Sequence, residues 1–183
     1  MRINNHWLEP AFHCLSPNHN DRPDNTDISL LVIHCISLPP GQFGNDYIKQ
    51  LFCNELDPQQ HPYFKEIYQQ TVSSHILIQR DGTITQYVAF DKRAWHAGQS
   101  EYQGRQSCND FSIGIELEGT DNSPYETIQY QQLATLVKTL LDYYPNLSSE
   151  RITGHSDIAP GRKTDPGRRF DWRQLHTLLN NTA

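Results

Sequence analysis

Residues 111–117 read FSIGIEL, and their strict alternation decides the fold. The odd-numbered positions, beginning with Phe111, are large and apolar, whereas Ser112, Gly114 and Glu116 are small or polar. Successive side chains of a β-strand point to opposite faces, so this pattern predicts a strand whose apolar face packs on a hydrophobic core. Glu116 is then expected on the opposite face, away from that core.

Further strands are predicted on both sides of this segment. Residues 29–37 (SLLVIHCIS) are apolar and rich in β-branched side chains, which predicts a buried strand that contains His34. Residues 74–79 and 83–88 flank an Arg-Asp-Gly turn, and Asp-Gly between two alternating runs predicts a β-hairpin. Residues 151–153 are typical of a short strand.

Apolar residues at helical spacing predict three helices. They cover residues 45–54, residues 127–144 and a C-terminal segment that Asp171 is expected to N-cap. The polar residues 10–27 and residues 154–169 are expected to form loops. No repeat or linker divides the sequence, so we predict one domain over all 183 residues. The fold class is α+β, with a single central mixed β-sheet flanked by helices.

The amino-acid composition argues against some classes of binding partner. Lys and Arg number 15 and Asp and Glu 21, giving a net charge of −6 without a basic stripe, so a nucleic-acid partner is not expected. The longest apolar run, residues 30–36, is far too short to cross a membrane. The N-terminal residues lack the apolar run of a secretory signal, and the four scattered cysteines are typical of reduced, mostly buried thiols. We therefore expect a cytoplasmic protein without a membrane partner, and a monomer is the default assumption.

One loop concentrates groups capable of chemistry. Residues 154–167 (GHSDIAPGRKTDPG) hold His, Asp, Lys and Arg among stiffening Pro and Gly residues. Together, His34, His155 and Asp165 could offer two imidazoles and a carboxylate, a set that suits Zn²⁺ with its fourth position open. From the residues alone, a hydrogen-bonded core role for His34 and a turn-forming role for Asp165 remain open. A solvated strand carboxylate for Glu116 remains open as well.

Five segments, taken in order, carry a family resemblance. They are LLVIHCISLPP, VSSHILIQRDG, RAWHAG, CNDFSIGIELEG and GHSDIAPGRKTDPG. Together they resemble the N-acetylmuramoyl-L-alanine amidases of the phage-lysozyme-amidase and peptidoglycan-recognition fold. Among these, the chain is most similar to cytosolic enzymes that act on 1,6-anhydro-muropeptides. The resemblance runs from about residue 23 to residue 172.

The resemblance implies a reaction and a set of functional residues. The reaction is hydrolysis of the amide bond between muramic acid and L-alanine. His34, His155 and Asp165 are implied to be the ligands of one Zn²⁺ ion. Glu116 is implied to be the catalytic acid and base, and Lys163 is implied to stabilise the oxyanion that develops at the carbonyl.

The resemblance also implies a substrate groove and shows three departures from the family pattern. Trp95 and His96 fall in a segment that lines the groove, where an indole face could pack against sugar or peptide. Cys35 stands where relatives carry Asn, and Thr71 and Ser107 stand where relatives often carry Arg. These departures leave open how the peptide stem is held. Cys35 is not expected to bind the metal, because neighbouring strand residues face opposite sides.

Two other functions fit parts of the pattern. A non-catalytic peptidoglycan-recognition module would keep the fold and the groove without turnover. A non-haem iron oxygenase would use the His155-x-Asp157 triplet with a third histidine as a facial triad. The complete set of candidate ligands, Glu116 and Lys163 favours the zinc amidase.

Overall fold

The computed structural model describes residues 1–181, so residues 182 and 183 of the predicted domain lie outside it. The strands in chain order are β1 (Arg2–Asn4), β2 (Trp7–Glu9), β3 (Phe12–His13), β4 (His19–Asp21), β5 (Leu30–Ile36), β6 (Ile76–Ile78), β7 (Ile84–Gln86), β8 (Lys92–Ala94), β9 (Glu101–Tyr102), β10 (Arg105–Gln106), β11 (Ser112–Glu118) and β12 (Ile152–Gly154). The helices are α1 (Tyr47–Phe52), α2 (Phe64–Ile67), α3 (Thr127–Tyr143), α4 (His155–Ile158) and α5 (Trp172–Asn180). No helix in this part of the chain is long and apolar enough to cross a bilayer.

A central sheet of six strands organises the molecule. Its order is β12-β5-β11-β6-β7-β3, and its neighbours are parallel except for the antiparallel pair β6-β7. This arrangement confirms the predicted α+β class, the central mixed sheet and the hairpin. In the parallel register of β5 and β11, Glu116 lies directly beside His34.

One face of the sheet is the hydrophobic core. On it, alternate residues of β5 and β11 pack with α3 and α5; the central members are Leu31, Ile33, Ile113, Ile115, Leu117, Leu133, Leu136, Val137, Leu140 and Leu175. The alternation in residues 111–117 is confirmed within the strand. Phe111 is the exception, because a 3₁₀ turn at Cys108–Asp110 precedes β11 and places its ring with Leu30 and Val32 in a separate apolar cluster.

The opposite face combines apolar and polar residues. Leu77 and Tyr87 pack there with residues of α1 and α2. The same face carries His34 and Glu116, together with the small residues Ser112 and Gly114 at the start of β11. The fold thus leaves chemically active side chains next to a packed core.

Several details differ from the predictions. Residues 10–27 contain β3 and β4, which their polar sequence hides because the strands form only by pairing with β7 and β8. The predicted loop after β12 begins with α4, where the Asp157 carboxylate accepts hydrogen bonds from Gly154 N at 2.9 Å and Thr153 Oγ1 at 3.0 Å. All four cysteines are free as expected, but only Cys108 is buried, so the expectation of mostly buried thiols was wrong. Asp171 caps α5 as predicted by accepting from Gln174 N.

Candidate metal centre

The carboxyl ends of three parallel strands bring the candidate site together. His34 lies near the end of β5, and Glu116 is its neighbour in β11. Gly154, the last residue of β12, pairs with Ile33, so His155 at the start of α4 follows next to His34. Crevices at the carboxyl ends of parallel strands are common binding sites because the ends of different chain segments converge there.

His34, His155 and Asp165 converge on one point, although up to 131 residues separate them in sequence. The two Nδ1 atoms are 3.0 Å apart, and Asp165 Oδ2 lies 3.0 Å from His34 Nδ1 and 3.1 Å from His155 Nδ1. Two imidazole nitrogens and one carboxylate oxygen are the donor set of many catalytic zinc sites. The structure therefore brings together the three residues that the sequence singled out.

The protonation of His34 and Asp165 suits a divalent cation, whose ligands must be neutral imidazoles and ionised carboxylates. Burial lowers the pKa of His34 to about 4, and the neighbouring His155 adds to the effect. Burial opposes the ionisation of Asp165, but hydrogen bonds with His155 and His34 hold its pKa below the usual range. The outer nitrogens of both histidines have polar partners: His34 Nε2 is 2.9 Å from His96 Nδ1, and His155 Nε2 is 3.0 Å from Ala97 O. With a proton on each Nε2, both Nδ1 lone pairs would face the cluster, as a metal requires.

Glu116 is a buried carboxylate without a full set of partners. Its exposed fraction is 9%, and within residues 1–181 its Oε2 atom has no hydrogen-bond partner. Burial raises the pKa of Glu116 well above its ordinary value, the charge of Asp165 raises it further, and Lys163 lowers it. Buried oxygens are rarely left unpaired, so this atom fits an interaction with a bound metal, water or substrate.

The predicted site residues line one groove of about 270 Å³. They are His34, Trp95, His96, Glu116, His155, Lys163 and Asp165. The indole Nε1 of Trp95 donates to Asn20 Oδ1 at 2.9 Å, which fixes the half-exposed ring. Leu51 and Phe52 of α1 and Ile67 of α2 supply an apolar wall. The groove therefore offers both a polar reaction centre and an apolar surface.

The loop that carries Lys163 and Asp165 is held at several points. Tyr125 donates its hydroxyl proton to Pro166 O at 2.7 Å, and Ser156 N donates to Asp165 O at 2.9 Å. Gly167 has a φ of +83° and packs so closely on Asp121 that a Cβ would lie 2.1 Å from its Cα. Tyr125 was missed by sequence reasoning, because nothing local links it to a loop 41 residues away.

The ligand cluster does not include Cys35, Asp157 or Ser107. The thiol of Cys35 lies 3.5 Å from Asp121 Oδ1 and is not a member of the cluster. Asp157 caps α4, so the described chain does not assemble the His-x-Asp triad of an iron oxygenase. Ser107 lines a separate cavity of about 360 Å³ beside Arg162. Arg162, also missed from the sequence, donates to Ala97 O and Gln99 O at 2.6 Å.

Comparisons with known proteins identify the family of the chain. Residues 24–168 match the family described as N-acetylmuramoyl-L-alanine amidase. The 1,6-anhydro-N-acetylmuramyl-L-alanine amidase AmpD of Escherichia coli (strain K12) is 56% identical over 180 residues, which are 98% of this chain and 98% of that protein. The crystal structure of a selenomethionine AmpD derivative matches with a TM-score of 0.95 at 55% identity, covering 98% of this chain and 99% of that one.

A more distant structure contains a substrate. It is the complex of the E. coli amidase AmiD with anhydro-N-acetylmuramic acid-L-Ala-D-γ-Glu-L-Lys, and it matches with a TM-score of 0.59 at 31% identity. The match covers 94% of this chain and 60% of that chain. The fold is therefore shared with proteins that bind muropeptides.

Proposed function

The chain belongs to the N-acetylmuramoyl-L-alanine amidase family, and on that basis we propose that it hydrolyses the amide bond between 1,6-anhydro-N-acetylmuramic acid and L-alanine in recycled muropeptides. Its similarity to AmpD over nearly the whole length of both proteins supports this substrate class. The observation that carries the proposal is the convergence of His34, His155 and Asp165 in the same groove as Glu116.

We propose that the cluster binds one Zn²⁺ ion. The donor set and the lowered pKa of His34 fit such an ion. The oxygen of Glu116 that has no partner in the described residues fits a water molecule beside the ion. When bound, zinc would supply a Lewis acid and make a water molecule more acidic. Side chains of the protein carry out the remaining steps.

Glu116 moves the proton in the proposed reaction. Its carboxylate takes a proton from the attacking water and returns it to the nitrogen of L-alanine as the amide bond breaks. Burial raises the pKa of Glu116 toward the working pH. Proton transfer in both directions is efficient when the pKa of the group is close to that pH. Lys163 lines the same groove and places a positive charge near the carbonyl oxygen as it becomes negative.

The groove walls suggest how the substrate is placed. We propose that the fixed indole of Trp95 packs against the sugar or the peptide, with the apolar side chains of α1 and α2 on the other side. Both ring nitrogens of His96 already have partners, so its contact with substrate would be through the ring surface. The four cysteines are free thiols, two of which, Cys14 and Cys53, are hydrogen-bonded to each other at 3.6 Å, and free thiols support a cytoplasmic location. That the chain acts as a monomer stays a prediction, which light scattering would check.

Product analysis tests the proposed reaction directly. Purified anhydro-N-acetylmuramyl tripeptide is incubated with zinc-loaded protein, with protein treated with a chelator, and with treated protein to which Zn²⁺ has been returned. We expect mass spectrometry to find free tripeptide and the anhydro-muramic acid sugar in the first and third samples only. Intact substrate with zinc-loaded protein would instead support the non-catalytic recognition module.

Replacing the proposed acid and base gives a sharper test. We expect Glu116→Gln to bind zinc with unchanged stoichiometry but to hydrolyse the tripeptide substrate about 100- to 10,000-fold more slowly, because no carboxylate remains to move the proton. Glu150→Gln, which changes an exposed carboxylate, is the matched control and should retain full turnover. Turnover near wild type in Glu116→Gln would reject this role.

A further inference from the structure

The imidazole of His96 lies directly against Gly114 of β11. A Cβ atom at position 114 would come within 2.4 Å of His96 Cγ and 2.6 Å of His96 Nδ1. Gly114 has no positive φ, so its lack of a side chain serves close approach and not an unusual backbone conformation. Glycine inside a strand weakens the strand, and its presence here is explained by the ring that packs on it.

Both ring nitrogens of His96 have specific partners. His96 Nδ1 lies 2.9 Å from His34 Nε2, and His96 Nε2 lies 3.1 Å from Ser112 Oγ. The backbone of the segment is fixed as well, because Asn109 Oδ1 accepts hydrogen bonds from His96 N at 3.1 Å and from Ala97 N at 2.8 Å. His96 is therefore held on its ring face, at both nitrogens and through its backbone.

Adjacent residues of this segment contact the two histidines of the cluster in different ways. His155 Nε2 lies 3.0 Å from the carbonyl of Ala97, which can only accept, so with a metal at Nδ1 the proton of His155 would sit on Nε2 and be donated there. The partner of His34 is an imidazole, which can accept or donate according to its own tautomer. For Nδ1 of His34 to present a lone pair, His96 Nδ1 must accept and His96 Nε2 must donate to Ser112.

We propose that His96, seated on Gly114 and bonded to Ser112, is a positioning residue that fixes the tautomer and ring orientation of His34 for metal binding. The inference rests on the proposed function, since it takes His34 to be a metal ligand. Groups that accept the outer N–H of a metal-binding histidine change metal affinity about 10- to 100-fold when they are removed. A role for His96 in packing alone would not depend on an acceptor at Nδ1.

Zinc affinity of matched variants tests the proposal. The dissociation constant for Zn²⁺ is measured by competition with a chromophoric chelator for wild type, His96→Leu, His96→Asn and Ser112→Ala, and thermal unfolding of each metal-free protein is recorded. We expect His96→Leu to bind zinc about 10- to 100-fold more weakly. His96→Asn should recover most of the affinity, because Oδ1 of asparagine occupies the place of the imidazole Nδ1 and accepts from His34. Ser112→Ala should show a smaller loss.

The pattern across variants separates the explanations. Equal zinc affinity in His96→Leu and wild type, or equal losses in His96→Leu and His96→Asn, would overturn the proposal. If His96→Leu does not fold, the folded Ser112→Ala variant decides, and wild-type zinc affinity in it would overturn the proposal. A wild-type protein that binds no zinc, or a His34→Ala variant that binds it as tightly, would instead refute the metal site of the proposed function.

Discussion

The two faces of the central sheet are built by the same strands but have opposite chemistry. On the α3 face, Ile33 of β5 and Ile115 of β11 are fully buried among aliphatic side chains. One position further along each strand, His34 and Glu116 lie side by side on the other face. The packed face thus stabilises the backbone of both strands, and this allows the other face to carry polar groups whose burial is unfavourable.

Two carboxylates of β11 show the same contrast on a smaller scale. Glu118 is 1% exposed, and its oxygens accept from Gly44 N at 2.6 Å and Arg80 N at 3.2 Å. Glu116 lies on the same face two residues earlier, and its Oε2 atom has no partner in the described residues. Glu118 therefore connects neighbouring segments of the chain, whereas Glu116 leaves one oxygen available in the groove.

The largest effect is expected from a change on the polar face. His155→Ala removes one nitrogen of the cluster and with it the charge stabilisation that a bound metal would give the reaction. A loss of several kcal/mol of this stabilisation corresponds to a fall in kcat/KM of roughly 1,000-fold. The metal-free variant should lose less stability than a variant of the packed face, because only the bonds of the buried His155 to Ala97 O and Asp165 are removed and the core face is unchanged. Hydrolysis assays and calorimetry on the same samples check both parts. Undiminished kcat/KM would contradict a role for His155 in the reaction centre.

The opposite result is expected from a change on the packed face. Leu136 of α3 is fully buried, so Leu136→Ala should lower the free energy of unfolding by about 2 to 5 kcal/mol through lost contacts and a cavity. Urea denaturation measures this loss, and kcat of the folded fraction should remain at the wild-type value. Ile128→Ala on the same helix, where the side chain is 36% exposed, is the control and should cost much less.

A smaller effect with a defined pH dependence is expected for Glu116→Gln in metal-free protein. Burial raises the pKa of Glu116 above its ordinary value of 4.5, so between pH 4.5 and the raised pKa the folded protein keeps a proton that the unfolded chain has lost. Stability of the wild type should therefore fall as pH rises through this window. Glu116→Gln, which cannot ionise, should not show this fall and should therefore be more stable than wild type at neutral pH, by roughly 1.4 kcal/mol for each unit by which the pKa is raised.

Denaturation curves across the pH range measure that difference. The gain should disappear below about pH 4, where the carboxyl is protonated in both the folded and the unfolded chain. A constant difference at all pH values would show that Glu116 is not the group responsible.

The parts of the fold that the sequence predicted are those with local periodicity. Alternation located β11 and the face of Glu116, and helical spacing located α3. The ligand set came from the family resemblance, because His34 and Asp165 are ordinary residues when each is considered alone. Phe111 was placed on the wrong face because alternation does not reveal the 3₁₀ turn before β11.

The remaining parts depend on contacts between distant segments. The role of Asp157 as a cap appeared only with the position of Gly154, and the contact of Tyr125 with Pro166 joins two loops. The place of His96 in RAWHAG predicts only a contact with substrate. Its hydrogen bonds with His34 and Ser112 join three segments whose proximity no local pattern encodes.

The pairing of Glu116 with His34 makes this centre sensitive to insertions and deletions. One residue inserted into β11 ahead of Glu116 would turn the carboxylate toward α3. Two inserted residues would restore the face but shift the carboxylate by about 7 Å along the strand. We therefore expect this centre to tolerate changes of chain length in the connecting loops but not within β11 ahead of Glu116.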